Sequence, residues 1–266
     1  MASGSHFLSE GSANMLDSGV SENEYYSFER LKNINLKNNT SDLTIIVVNI
    51  ESLPSNMNYL TSTLRLLNFS PDIIALSETR ITEKSNSYYN AHLENYKYFP
   101  SPKSTSRAGS SGVFVRNSLS VTMRADLDIS VPGIFETVWL DIDQKLRGKK
   151  STFGVVYRHC GDTDIPFFQR KLEPVLSKLN QSNSDFYIVG DFNCNTLKYD
   201  ELPNVKSFLD MMHSNSAVNL VNKPTRFPRG DQWGSPYVLD HFYTNEVAKV
   251  NTWGYLLTTF LIIFLS

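Results

Sequence analysis

The residues best suited to chemistry in this sequence stand where apolar runs stop. Asp191-Phe192-Asn193 follows FYIVG, and alternation along an extended chain sets the Asp and Asn side chains on one face, with Gly190 just before them able to turn or approach closely. A carboxylate near an amide at a strand end can orient a water or hold a phosphate, although an isolated Asp-x-Asn also closes strands as a plain Asx turn. Other runs end alike: Asn49 after TIIVV, Glu78 after DIIALS, and Asp240 after YVL. Carboxylates and amides gathered from several strands at one rim suit a hard divalent cation such as Mg²⁺, which takes oxygen ligands and keeps several waters. The chemistry this pattern points to is metal-dependent phosphoryl transfer.

Tyr157-Arg158, after GVV, offers a phenol and a guanidinium for a phosphate; a rim tyrosine and a surface arginine would read the same way. Lys103, Arg107, Arg116 and Arg124 lie in a stretch without an acid, either a face for a phosphate backbone or a solvated loop. His241 directly follows Asp240, so in a strand the two side chains point to opposite faces, and a structural role is expected for the histidine. Cys194 has no recognisable base partner, which argues against a cysteine nucleophile.

Elements that would position these groups follow from the apolar pattern. LTIIVVNI (43–50), DIIALSE (72–78), SGVFVRN (111–117), TVWLDI (137–142), TFGVVYR (152–158), FYIVGDFN (186–193) and YVLDHFYTN (237–245) read as strands, several apolar enough to be covered on both faces. Helical spacing joins Met57, Leu60, Leu64 and Leu67, then Phe168, Leu172, Val175 and Leu179, then Val205, Phe208, Leu209 and Met212. Pro174 predicts a kink or a late start in the second helix. The alternation predicts one α/β domain with two sheets face to face and helices outside, while periodicity alone leaves a doubly wound sheet open.

Composition narrows the partners. With 25 Lys+Arg against 27 Asp+Glu the chain is almost neutral, so nucleic-acid contact must be local rather than a general basic coat. Two cysteines without CxxC spacing give neither a disulfide framework nor a zinc cluster. Residues 1–40 are polar and aperiodic and read as a flexible leader, residues 41–252 as the domain, and 253–266 as an uncharged apolar tail, WGYLLTTFLIIFLS. The tail is short of the roughly 20 residues a spanning helix needs, so membrane attachment is not expected, and its β-branched and aromatic residues suit a strand. No signal peptide is visible, and an intracellular, nuclear or cytoplasmic, setting is expected.

The ordered set VNI…SETR…SGVFV…VVYR…VGDFN…NKPTR…LDHFYTN resembles the endonuclease/exonuclease/phosphatase superfamily. More narrowly, it is similar to the endonuclease that opens the polyprotein of LINE-type, jockey-like non-LTR retrotransposons. The resemblance implies a four-layered α/β sandwich with its site at one rim, a Mg²⁺ (or Mn²⁺) cofactor, DNA as partner, and a reverse transcriptase in the same chain of an intact element. It implies Glu78 as metal ligand with Asn49 beside it, and Asp191 as the group that orients or deprotonates water. Asn193 would hold that water or the phosphate, Tyr157 would contact the phosphate, and Asp240 would orient a histidine. Arg158, Thr225, Arg107 and Arg116 are the candidate DNA contacts. The reaction implied is hydrolysis of one phosphodiester, leaving a 3′-hydroxyl for target-primed reverse transcription. The Ser-Asp-His that ends the family pattern is absent from this sequence, which predicts impaired catalysis and a missing or replaced last strand. An inactive nucleic-acid- or protein-binding remnant and another phosphoesterase of the superfamily are the competing readings.

Overall fold

The computed structural model describes residues 24–26, 29, 43–82, 84, 91–101, 109–144, 149–160, 164–227, 235–256 and 260–265. Thirteen strands are seen among them: β1 (Glu24–Tyr26), β2 (Leu43–Asn49), β3 (Ile73–Ser77), β4 (Tyr96–Pro100), β5 (Ser111–Arg116), β6 (Ser120–Met123), β7 (Phe135–Gln144), β8 (Lys149–Arg158), β9 (Asp185–Asp191), β10 (Val218–Asn219), β11 (Asp240–Thr244), β12 (Val250–Leu256) and β13 (Phe260–Leu265). The helices are α1 (Leu53–Leu67), α2 (Ile165–Gln181) and α3 (Pro203–Ser214).

The strands form a seven-stranded sheet, β1-β12-β13-β2-β3-β5-β4, and a six-stranded sheet, β10-β11-β9-β8-β7-β6. Alternation gives each sheet an apolar inner face. Leu43, Ile45 and Val47 of β2, Ile73 and Ala75 of β3, and Val113 and Val115 of β5 meet Val138, Leu140, Phe153, Val155, Tyr187 and Val189 across the sandwich. The opposite parity is apolar too, because both outer faces are covered. Leu60, Leu64 and Leu67 of α1 pack on Ile46, Val48, Ile74 and Phe114. Phe168, Leu172 and Leu179 of α2 and Phe208 and Met212 of α3 pack on Trp139, Val156, Phe186 and Ile188. The result is helix, sheet, sheet, helix, the four layers expected. Each such leucine or phenylalanine taken fully out of water contributes about 1.5–3 kcal/mol.

Three expectations change. Pro174 lies inside α2, which starts at Ile165 and neither begins late nor stops there. Its missing N–H removes one helix bond, while Pro166 in the first turn and a fully apolar inner stripe hold the rest. The apolar end forms the strand its residue types suited, and so belongs to the domain rather than to a separate tail: β13 pairs antiparallel with β2, Phe260 opposite Val48 and Leu265 opposite Leu43, and β12 pairs with β13. Within the span read as leader, β1 pairs parallel with β12, Glu24 opposite Gly254. Both expected boundaries, 41 and 252, therefore move outward, because β2 would otherwise expose an unpaired apolar edge. Among the described residues no helix is long and apolar enough to cross a membrane.

Candidate active site

One rule of alternation builds the site. Continuing each inner face by one step past its last apolar residue gives Asn49 on β2, Ser77 on β3 and Ser111 on β5. In the second sheet it gives Glu136 on β7, Tyr157 on β8, Asp191 on β9 and Asp240 on β11. Register brings them to one rim: Ser77 pairs with Ser111, Glu136 with Tyr157, Tyr157 with Asp191, and Asp191 with Asp240. Asn49 joins the two sheets, its Nδ2 donating to Asp191 Oδ2 at 2.9 Å and to Glu78 Oε1 at 2.8 Å. Glu78 sits just past β3 in the left-handed region (φ 54°), where hydrogen bonds from Thr79 N to Ser110 O and from Arg80 N to Gly109 O hold the turn.

Asp191 is fully buried. Besides Asn49, it accepts from the Asn193 backbone N–H at 3.0 Å and from Arg226 Nη2 at 2.6 Å. Burial, then the neighbouring Asp240 carboxylate, push its pKa up to about 7 in spite of those donors. Asp240 is raised as well, first by burial and then by Glu78, against the Arg226 guanidinium and the Thr225 hydroxyl. Arg226 bridges the pair, its Nε lying 3.6 Å from Asp240 Oδ2. The Tyr157 phenol is pushed up by burial and by Glu78, Asp191 and Glu136, which keeps it a proton-bearing donor.

Gly190 is required by close approach: its φ is +132°, and a Cβ there would lie 2.0 Å from the Val156 carbonyl oxygen. That contact lets β9 run to Asp191 without leaving the sheet.

Other candidate residues take different places. Arg158 is completely buried, a correction to its expected contact with DNA: as the next residue after Tyr157 it points to the outer layer, where Nε donates to Phe192 O at 2.7 Å and Nη2 to Asn193 O at 2.5 Å. It braces the turn carrying Asp191. Asn193 returns the bond, Nδ2 to Arg158 O at 2.6 Å, so that nitrogen closes the turn and does not reach outward. Thr225 is likewise a support, its hydroxyl accepting from Leu239 N at 3.1 Å and Asp240 N at 3.2 Å. Arg116 lies at the opposite rim, beside Asp72 at 3.2 Å, and does not join the cluster. Arg107 lies outside the described residues. His241, directly after Asp240, is fully buried on the other face, hydrogen-bonded through Nδ1 to the Tyr243 hydroxyl and through Nε2 to Cys194 O; burial lowers its pKa to about 4.

Five rim residues were not among the expected site residues: Ser77, Ser111, Glu136, His159 and Arg226. Arg226 adjoins Thr225 in NKPTR. Glu136 and His159 continue inner faces already recognised, two residues before Val138 and two after Tyr157.

The rim's oxygen donors suit a hard cation with a mostly water shell. Glu78 is 21% exposed, Asn49 adjoins it, and the buried Ser77 and Ser111 hydroxyls have no hydrogen-bond partner. Asp191 and Asp240 are already engaged by Arg226. Among the described residues no three His, Cys, Asp or Glu side chains are grouped as a ready-made cage.

Two packed mixed sheets and flanking helices define an α/β sandwich with a cluster of carboxylates at one rim. The sequence pattern of the endonuclease/exonuclease/phosphatase family matches residues 46–259, and the chain belongs to that family. Solved structures share the fold. The AP endonuclease LMAP from Leishmania major superposes with TM-score 0.62 at 15% identity, covering 85% of this chain and 88% of that one. The endonuclease domain of TRAS1, a telomere-specific non-LTR retrotransposon, gives 0.58 at 11% identity over 84% and 97%. D. rerio TDP2 complexed with a single-strand DNA product gives 0.60 at 13% over 85% and 99%. A search of curated protein sequences returned no match.

Proposed function

We propose that the chain is a DNA endonuclease that hydrolyses one phosphodiester at this rim, leaving a 3′-hydroxyl suited to priming reverse transcription. The observation that carries the reading is the buried Asp191 carboxyl, raised to about 7 and fixed by Asn49, Arg226 and the Asn193 N–H. A base poised near neutral pH accepts a proton from water with little mismatch. Water oxygen attacks phosphorus, its proton passes to Asp191, and the bond to the 3′-oxygen breaks as that oxygen takes up a proton from solvent water. The Tyr157 hydroxyl donates to a phosphate oxygen, and Arg226 adds fixed positive charge beside it. Glu78, with the Asn49 amide, would hold Mg²⁺ or Mn²⁺, which when bound offsets charge developing on the phosphate. DNA as substrate is supported by two fold neighbours described as a retrotransposon endonuclease domain and as a complex with a DNA product.

Supercoiled-plasmid nicking with Mg²⁺ tests the proposal beside Glu78→Ala and Asp191→Ala. Nicking by the wild type, lost in both variants and on adding EDTA, is expected. Equal nicking in all three would sink it, and salt-sensitive DNA binding without turnover would favour a binding remnant instead. Faster turnover of an inositol phosphate than of DNA would move the substrate to another branch of the family.

A further inference from the structure

We propose that His159, oriented by Glu136, is a catalytic residue that hydrogen-bonds the scissile phosphate through Nδ1; this rests on the reading of the rim as a phosphodiester site. An imidazole stands at the rim. His159 follows Tyr157 on the same strand face, the two rings edge to face at 4.9 Å. Its Nε2 lies 3.0 Å from Glu136 Oε2 and 3.2 Å from Oε1. Glu136 is completely buried, whereas the His159 side chain is 17% exposed. A buried carboxylate fixing one ring nitrogen sets the orientation of the other. Nδ1 has no hydrogen-bond partner among the described residues; in the ring form with hydrogen on both nitrogens, Nε2–H donates to Glu136 and Nδ1–H is left to donate to a phosphate oxygen.

The surroundings are shaped to this ring. A Cβ on Gly109 would lie 2.6 Å from both Cε1 and Nε2 of His159 and 3.2 Å from Glu136 Oε2. A side chain at Gly109 would therefore push the imidazole from its place against Glu136. The Gly109 carbonyl accepts from Arg80 N at 2.8 Å, two residues from Glu78, so the same backbone links the His–Glu pair to the proposed metal ligand. Tyr157 senses Glu78, Asp191 and Glu136 electrostatically, which places His159's immediate neighbour among all three. A phosphate reaching the Tyr157 hydroxyl arrives beside this imidazole.

Steady-state nicking is measured for wild type, His159→Ala, Glu136→Gln and Gly109→Ala, with Arg116→Ala as a remote control. Loss of one transition-state donor is expected to lower kcat about 100-fold in His159→Ala with KM unchanged, with partial rescue by free imidazole. Glu136→Gln and Gly109→Ala should lose part of kcat with no imidazole rescue, since their ring is present but misdirected. In parallel, the His159 side-chain ¹⁵N resonances, assigned from their absence in His159→Gln, are followed as a short DNA duplex is added in EDTA. They should move on binding. Wild-type nicking with an unimpaired His159→Ala, or resonances indifferent to DNA, overturns the proposal alone. Moving resonances with no wild-type nicking would overturn the phosphodiesterase reading and leave the phosphate contact standing.

Discussion

Among the described residues, two arginines each bridge two aspartates, and the two sets behave oppositely. At the rim, Arg226 bridges Asp191 and Asp240, and both acids are raised. On the outer side of the six-stranded sheet, Arg124 bridges Asp126 and Asp141, with Nη1 3.1 Å from Asp141 and Nε 2.7 Å from Asp126, and both acids are lowered. Burial is the first cause of the rise at the rim, but Asp141, only 4% exposed, is still lowered, so cation supply also separates the sets. Lys150 reaches Asp141 at 2.8 Å and Lys178 pairs with Asp126, so three cations serve two carboxylates. At the rim Arg226 faces two carboxylates with Glu78 close enough to act on both it and Asp240. An ion-pair network that is complete lowers its acids; one left short of cations holds a proton or awaits a positive charge.

The largest expected effect separates the two sets by function. Asp191→Asn should lower nicking about 10³-fold while leaving the thermal midpoint unchanged or higher, since it removes a carboxylate that burial disfavours. Asp141→Asn should leave nicking unchanged and destabilise by about 1–3 kcal/mol, because Arg124, Lys150 and the Thr152 hydroxyl lose their shared acceptor. A stable Asp141→Asn or a fully active Asp191→Asn would erase the contrast.

The comparison also explains what the sequence could tell. Asp191, Asp240, Asn49 and Glu78 were legible because each ends an apolar run; alternation aims Asn49, Asp191 and Asp240 at a shared rim, and the left-handed turn past β3 brings Glu78 to it. Arg158 departs from expectation by parity: one residue past Tyr157, its side chain enters the outer layer, where the Phe192 and Asn193 carbonyls accept from it. Strands β4 and β6, YKYFP and SVTM, lack a dense apolar pattern and became strands by pairing with β5 and β7. The role of β13 could be read from its residue types, but its pairing with β2 is a long-range choice that no local pattern encodes. Arg226 was hidden for the same reason, since its two partners come from β9 and β11.

Stability against pH should split the sets next. Asp191 rises from 3.8 to about 7 in the fold, so the folded chain holds that proton more tightly than the unfolded one. Its stabilising contribution is complete below pH 3.8 and is lost as pH climbs toward 7. Asp141 is depressed, so its contribution is present above its ordinary 3.8 and is lost as pH falls below that value. Urea midpoints should show Asp191→Asn gaining on wild type between about pH 4 and 7, and Asp141→Asn losing less than wild type on acidification. Buried His241, lowered from 6.5 to about 4, costs stability as pH falls through the same window, so variant minus wild type is the quantity to compare. Parallel difference curves would mean that the two arginine bridges are electrostatically alike.

The smallest effect concerns the exposed limb of the outer set. Asp126 is 46% exposed and holds Arg124 at 2.7 Å along with Lys178, whose side chain is 52% exposed. Pairs this open to water are worth about 0–1 kcal/mol and fade as salt shortens the Debye length. Asp126→Asn should therefore cost under about 1 kcal/mol at low ionic strength, almost nothing at 1 M NaCl, and no nicking activity at either. Arg226→Gln at the rim, with a side chain 34% exposed over a fully buried Asp191, should keep its effect on nicking at high salt when rates are compared at saturating DNA. Salt then sorts the bridges by what surrounds them: the outer one is a solvated support, while the inner one works in a pocket that water and counterions screen poorly.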